Sequence, residues 1–164
     1  MKTIKPLLRE PRVVIAGGFL LLLLLIAIFA PTIAPKDPLE QDLMLGNMPP
    51  ATSPGAEPGY YLGTDDLGRD VLSRVLYGSR IALTVAFVAA SLSALMGTLM
   101  GLAAGWYGGW AEPIISRLVD IWMAFPPVLL SVLLVAVLGS GLHSVIAAIV
   151  IIDWTRFCRV VRAE

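Results

Sequence analysis

The sequence predicts an all-α integral membrane protein with four transmembrane helices. Three observations carry that expectation. Residues 13–35, 81–104 and 121–152 hold no formal charge. Apolar residues make up 57% of the chain and charged residues 15%, against ~45–50% apolar for soluble domains. Charge lies between and beyond the apolar stretches, and Pro49, Pro50, Pro54 and Pro58 cluster in the longest polar segment, as a connection between spans requires. The 24 residues from 81 to 104 would rise ~36 Å as a helix, enough to cross a hydrocarbon layer of ~30 Å with some tilt. A buried helix of a soluble protein is the competing reading, but such helices rarely lack charge on every face.

Residues 1–12 carry Lys2, Lys5, Arg9 and Arg12 against Glu10, and the positive-inside rule places them in the cytoplasm. The first span follows at residues 13–32. A cleaved signal peptide is the alternative, with an apolar core of at most ~15 residues, shorter than this one. Residues 33–80 form an outer loop. Its first half contains Pro35, Pro38, Pro49, Pro50, Pro54 and Pro58, which rule out a continuous helix or central strand. Acids outnumber the single base of that half, Lys36. A landing surface for an extracytoplasmic partner and a plain tether are both compatible with that composition.

The loop ends in YLGTDDLGRDVLSRVLYGSR. Gly63 and Gly68 suit turns. Asp65 or Asp66 is placed to accept from the free N–H groups of a starting helix. Leu67, Val71, Leu72, Val75 and Leu76 have helical spacing, and Asp70 precedes Arg74 by four residues, the favourable order for an ion pair. A short amphipathic helix at the membrane surface is expected here. The second span, residues 81–104, carries Ala89, Ser93, Gly97, Gly101 and Gly105 at a period of four. In lipid, small residues in such a stripe let helix backbones approach closely. Arg69, Arg74 and Arg80 at its outer end run against the positive-inside rule, while the basic ends of the chain support an even number of spans.

Residues 105–120 read as a cytoplasmic elbow, amphipathic over 112–120, with Arg117 and Asp120 three apart. The 32 uncharged residues from 121 to 152 would rise ~48 Å as one helix, too long for one span. Gly139-Ser140-Gly141 supplies the break, giving a third span at 121–138 and a fourth at 142–160. Pro126 and Pro127 should kink the third. Asp153 lies within the last apolar run. An acid there is a functional candidate, either lining a pathway or sitting near the inner interface beside Arg156.

No catalytic, cofactor or metal site is expected. The lysines, Lys2, Lys5 and Lys36, lie outside any G-x-x-x-x-G-K-S/T pattern. Cys158 with His143 cannot build a zinc site of ordinary type. Ser140 and His143 are too close in sequence for a two-helix dyad. The chain has zero formal charge and lacks a basic patch, which excludes a nucleic-acid partner.

LGTDDLGRDVLSRVLYGSR, the apolar span after it and GWYGGW resemble the signature of the second, C-type permease subunit of peptide and nickel ABC importers, which are binding-protein-dependent inner-membrane components. RLVDIWMAFPPVLL, WTRFCRVVRAE and IFAPTIAPKDPLEQDL add to the resemblance. It implies a type I importer permease fold, which normally has six spans, and a bacterial inner-membrane location with residues 33–80 in the periplasm. It also implies a paired permease subunit, cytoplasmic ATP-binding subunits and a periplasmic solute-binding protein as partners besides the lipid. Leu62, Gly63, Thr64, Asp65, Gly68, Arg69 and Asp70 carry the periplasmic signature. Residues 161–164 would begin the cytoplasmic coupling region, making the chain the front part of a permease. A non-transporting membrane scaffold or degenerate permease fragment is the alternative.

Overall fold

A computed structural model describes residues 10–163. The regular secondary structure of the described residues is helical, with a single antiparallel bridge between Thr64 and Asp70 in place of any strand. The chain divides into two compact units, Met1–Leu83 and Thr84–Glu164.

In the first unit, helix α1 (Pro11–Ile33) starts with proline at its first position and no side-chain cap. Proline is tolerated there because that N–H has no partner in the helix. Ala34 turns extended and Pro35 follows, so the helix stops where proline disfavours its predecessor's helical conformation. The connection is ordered by its own turns. Asp42 Oδ1 accepts from the Met44 N–H at 3.0 Å and starts a 3-10 turn, Leu43–Leu45.

Helix α2 (Val71–Tyr107) has 37 residues, a rise of ~55 Å that exceeds the hydrocarbon layer. The separate amphipathic helix expected ahead of residue 81 is instead the first turns of α2. Nothing between Val71 and Ile81 breaks it: Gly78 has open space around it and no proline intervenes.

In the second unit, helix α3 (Ala111–Ala124) is amphipathic and ends at Phe125, which is extended with ψ 134°. Helix α4 (Pro127–Leu138) begins at once, with Pro127 at its first position. The two meet at 91°. The expected third span at 121–138 is therefore two helical pieces. Pro126 forces Phe125 out of the helical region, so the axis turns sharply instead of bending gently. Gly139 closes α4 at φ 86°. Helix α5 (Leu142–Ala163) has Ser144, Ala148, Trp154, Thr155 and Cys158 on its buried side.

By length and apolarity, α1 and α2 qualify among the described residues as membrane spans, and the bent α3–α4 pair makes a third if counted as one. Helix α5 falls short because Asp153, Arg156, Arg159 and Arg162 occupy its second half. Residues 1–9 and 164 of the expected end segments lie outside the described residues.

Candidate functional site

The loop ahead of α2 is organised by a few backbone-directed side chains. Gly63 and Gly68 both have positive φ, 75° and 72°, and both lie against backbone. A Cβ at Gly63 would stand 2.9 Å from the Pro49 carbonyl carbon, and one at Gly68 would fall on the Asp42 carbonyl oxygen. Thr64 is buried. Its Oγ1 accepts from the Met48 N–H at 2.8 Å and donates to the Leu45 carbonyl. Leu62, by contrast, is exposed. The signature residues therefore clamp the 3-10 turn and residues 45–48 to the start of α2.

Asp65 is the hub. The backbone N–H groups of Leu67 and Arg69 donate to its Oδ1, each at 3.0 Å. Arg69 Nε donates to Oδ2 at 2.8 Å, and Arg74 Nη1 donates to the same oxygen. Burial pushes this carboxyl up, but the backbone N–H of Arg69, the Arg69 side chain and the Leu67 N–H outweigh it. Together they hold the group at about 2, below the ordinary 3.8. A depressed folded value means the stabilisation is complete above 3.8 and is lost as pH falls from there toward about 2. The wild-type thermal midpoint should thus drop through that window. Asp65→Asn should start lower at neutral pH and change less with acid. Parallel curves for the two proteins would refute the assignment.

Asp65 and Asp66 do not cap the helix. Asp70, immediately before Val71, does: its Oδ2 accepts from the Ser73 N–H at 2.8 Å. Nor does Asp70 pair with Arg74, which reaches Asp65 instead. The turn at Leu67–Gly68 shifts the helix start to residue 71, which puts Asp70 at the cap and turns it inward. Ser73, which the sequence did not single out, is fully buried, and its Oγ accepts from the Lys36 N–H at 3.1 Å. Its place three residues after an acid that begins a helix was the available signal.

In the second unit the small-residue stripe meets α5 at Gly97 and Gly101. Ala89, Ser93, Gly97 and Gly101 are buried. A Cβ on Gly97 would lie 2.5 Å from Phe157 Cβ and 2.8 Å from the Cys158 nitrogen, and one on Gly101 would lie 3.0 Å from the Cys158 carbonyl oxygen. Gly105 has nothing within 4 Å of its Cβ position. Ala104 takes the buried place instead. A four-residue step overshoots one 3.6-residue turn by about 40°, so the stripe drifts off the contact by its fifth member.

Beside this crossing, Val119 of α3 packs with Trp154 and Cys158 of α5, and Met100 and Ile115 cover them. Trp122 Nε1 donates to the Ile151 carbonyl at 2.5 Å. Asp120 faces Arg159 at 3.5 Å in place of the expected neighbour Arg117. Asp153 Oδ1 stands 3.5 Å from Arg156 Nη1. Both border an apolar groove of about 500 Å³ whose far wall is Ala86, Ala89, Ala90 and Ser93.

Apolar helices of spanning length, a glycine-backed helix crossing and a clamped polar loop are the features of a multi-pass membrane protein. Residues 2–50 match the family described as the N-terminal TM domain of oligopeptide transport permease C. Residues 97–164 match the binding-protein-dependent transport system inner membrane component family. The chain belongs to the C-type permeases of peptide ABC importers. It is 44% identical over 145 residues to the dipeptide transport system permease protein DppC of Haemophilus influenzae, covering 88% of this chain and 49% of that protein. It is 43% identical to the di/tripeptide transport system permease protein DppC of Pseudomonas aeruginosa (90% and 49%). With the dipeptide transport system permease protein DppC of Escherichia coli K12 it shares 47% over 157 residues (94% and 52%). The chain spans about half the length of these relatives.

Proposed function

We propose that this chain contributes the membrane-spanning part of an ABC importer that carries small peptides across the bacterial inner membrane. The observation that carries the reading is 43–47% identity to dipeptide and di/tripeptide permeases over 88–94% of the chain. Their names favour peptides over nickel as cargo. In this reading α1, α2, the bent α3–α4 pair and α5 are four spans of a six-span permease. The N-terminus is cytoplasmic and the clamped loop lies in the periplasm, where a solute-binding protein docks. A paired permease subunit completes the pathway, and separate cytoplasmic subunits hydrolyse ATP. No covalent chemistry is assigned to this chain. Asp153 serves as an interfacial acid neutralised by Arg156, not as a pathway group. The half-exposed i,i+3 pair supports that role, since an acid of this kind is tolerated where its charge can reach water.

The test is a chimera in which residues 1–164 replace the corresponding half of a dipeptide permease, expressed with its partner subunits in cells lacking that permease. Dipeptide uptake should return and nickel uptake should not. An alkaline phosphatase fused after Ala51 should be active, and one fused after Arg162 inactive. A chimera present at normal membrane levels without dipeptide uptake would count for a scaffold instead.

A further inference from the structure

The clamped loop encloses a polar pocket of about 250 Å³ with Lys36, Asp37, Glu40, Asp42, Glu57 and Asp70 in its wall. Five carboxylates thus face one ammonium. At the wall, Asp70 is only 1% exposed. Its Oδ2 is used by the Ser73 N–H, but its Oδ1 is buried with no hydrogen-bond partner. A buried carboxylate oxygen left without a donor is costly, more so than a neutral group. The pocket's own cation does not supply that donor, because Lys36 Nζ lies 3.8 Å above the Tyr60 ring.

The chemistry of the missing donor follows from the shape of the wall. Among the described residues no three acidic, histidine or cysteine side chains converge as a metal ion requires. A guanidinium is a flat fork that favours two matched acceptors, and Asp70 offers one. A primary ammonium is compact, has three donors and rides on a slender apolar stem. Leu45, Pro58 and Tyr60 supply apolar wall for that stem.

We propose that this pocket binds one primary ammonium group on an unbranched alkyl stem, which donates to Asp70 Oδ1 while the rim carboxylates hold its charge. A lysine side chain of a docking protein and a free alkylamine share this chemistry. An α-amino group does not, because substituents at its own carbon block entry to a carboxylate this deep. The binding is separate from transport and stands or falls without an uptake measurement.

The full-length permease in nanodiscs is titrated with n-butylammonium by ligand-observed NMR. N-acetyl-lysinamide, alanyl-alanine, tetramethylammonium and calcium chloride serve as competitors. Butylammonium should bind saturably, and acetyl-lysinamide should displace it. Alanyl-alanine, whose ammonium sits on a methyl-bearing carbon, and tetramethylammonium, which has no N–H, should be at least about tenfold weaker. Asp70→Asn keeps a competent cap and should weaken butylammonium about tenfold, the loss of one charged hydrogen bond. Should that variant unfold, Glu40→Gln with Glu57→Gln, away from the cap, should weaken binding several-fold with an unchanged thermal midpoint. Absence of saturable binding, equal binding of tetramethylammonium, displacement by calcium in preference to amines, or affinity unchanged in the folded variants would each overturn the proposal. Displacement by alanyl-alanine as strong as by acetyl-lysinamide would overturn the selection for a slender stem.

Discussion

Gly97→Leu will prevent α2 and α5 from closing on each other. The side chain would have to enter space already held by Phe157 Cβ at 2.5 Å and the Cys158 nitrogen at 2.8 Å from the Cβ position, with the Trp154 carbonyl oxygen against it as well. Two of those three atoms are backbone of a continuous helix, so they cannot swing aside, and the helices must separate. Separation exposes Trp154 and Cys158, which are now buried, and opens the cluster they make with Val119. In lipid no hydrophobic force pulls the helices back, because association there rests on close packing. Overpacking of a well-fitted contact costs ~1–3 kcal/mol and more when backbone must move, so Gly97→Leu should exceed about 3 kcal/mol. The effect should be graded. Gly101→Ala meets the Cys158 carbonyl oxygen and Val161 at 3.0 Å, and should cost about 1 kcal/mol. Gly105→Ala has open space and should be neutral, or stabilising by up to ~1 kcal/mol through helix propensity. Unfolding of the purified protein in mixed micelles measures all three. Equal losses at positions 97 and 105 would show that α5 does not rest on this face.

Gly68→Ala should open the loop ahead of α2. Two costs combine there. The residue has φ 72°, a conformation that costs an L-residue ~1–2 kcal/mol. Its Cβ would also coincide with the Asp42 carbonyl oxygen, so residues 42–45 must be displaced. That displacement takes away the Leu45 carbonyl to which Thr64 donates and loosens the turn that presents Asp65 to Arg69 and Arg74. Gly55→Ala is the matched comparison, because φ is 83° but nothing lies within 4 Å. It should show the conformational cost alone, ~1–2 kcal/mol. The Gly68 variant should lose at least about twice that, read as faster amide exchange at residues 64–70. Equal exchange in the two variants would mean that the 42–45 turn does not bear on Gly68.

Comparison of these positions separates two kinds of determination. Composition, long uncharged stretches and the motif around Asp65 were enough for an all-helical membrane protein and for its permease family. These are properties of neighbouring residues: charge, apolarity and the repeat of small side chains act within a few turns of one helix. Gly97 and Gly101 were legible for the same reason, since a stripe of small residues records a close approach before the approaching helix is known. The partner was not legible. Trp154, Phe157, Cys158 and Val161 lie more than fifty residues away in sequence, and nothing local marks them as the surface that fills the stripe.

Tertiary structure decided the rest. Asp65, Asp66 and Asp70 are chemically alike, and each precedes helical spacing, so sequence could not choose the cap. The turn at Leu67–Gly68 chose Asp70, and it aimed Arg69 and Arg74 together at Asp65. The 91° corner between α3 and α4 was foreshadowed by Pro126 and Pro127, but proline sets only where a helix breaks. The direction taken afterwards depends on contacts such as Trp122 with Ile151, 29 residues apart. Gly105 fell outside the crossing because a four-residue repeat and a 3.6-residue turn drift apart along the helix. How far a stripe stays in contact depends on the angle at which the second helix crosses, and that angle exists only once both helices are packed.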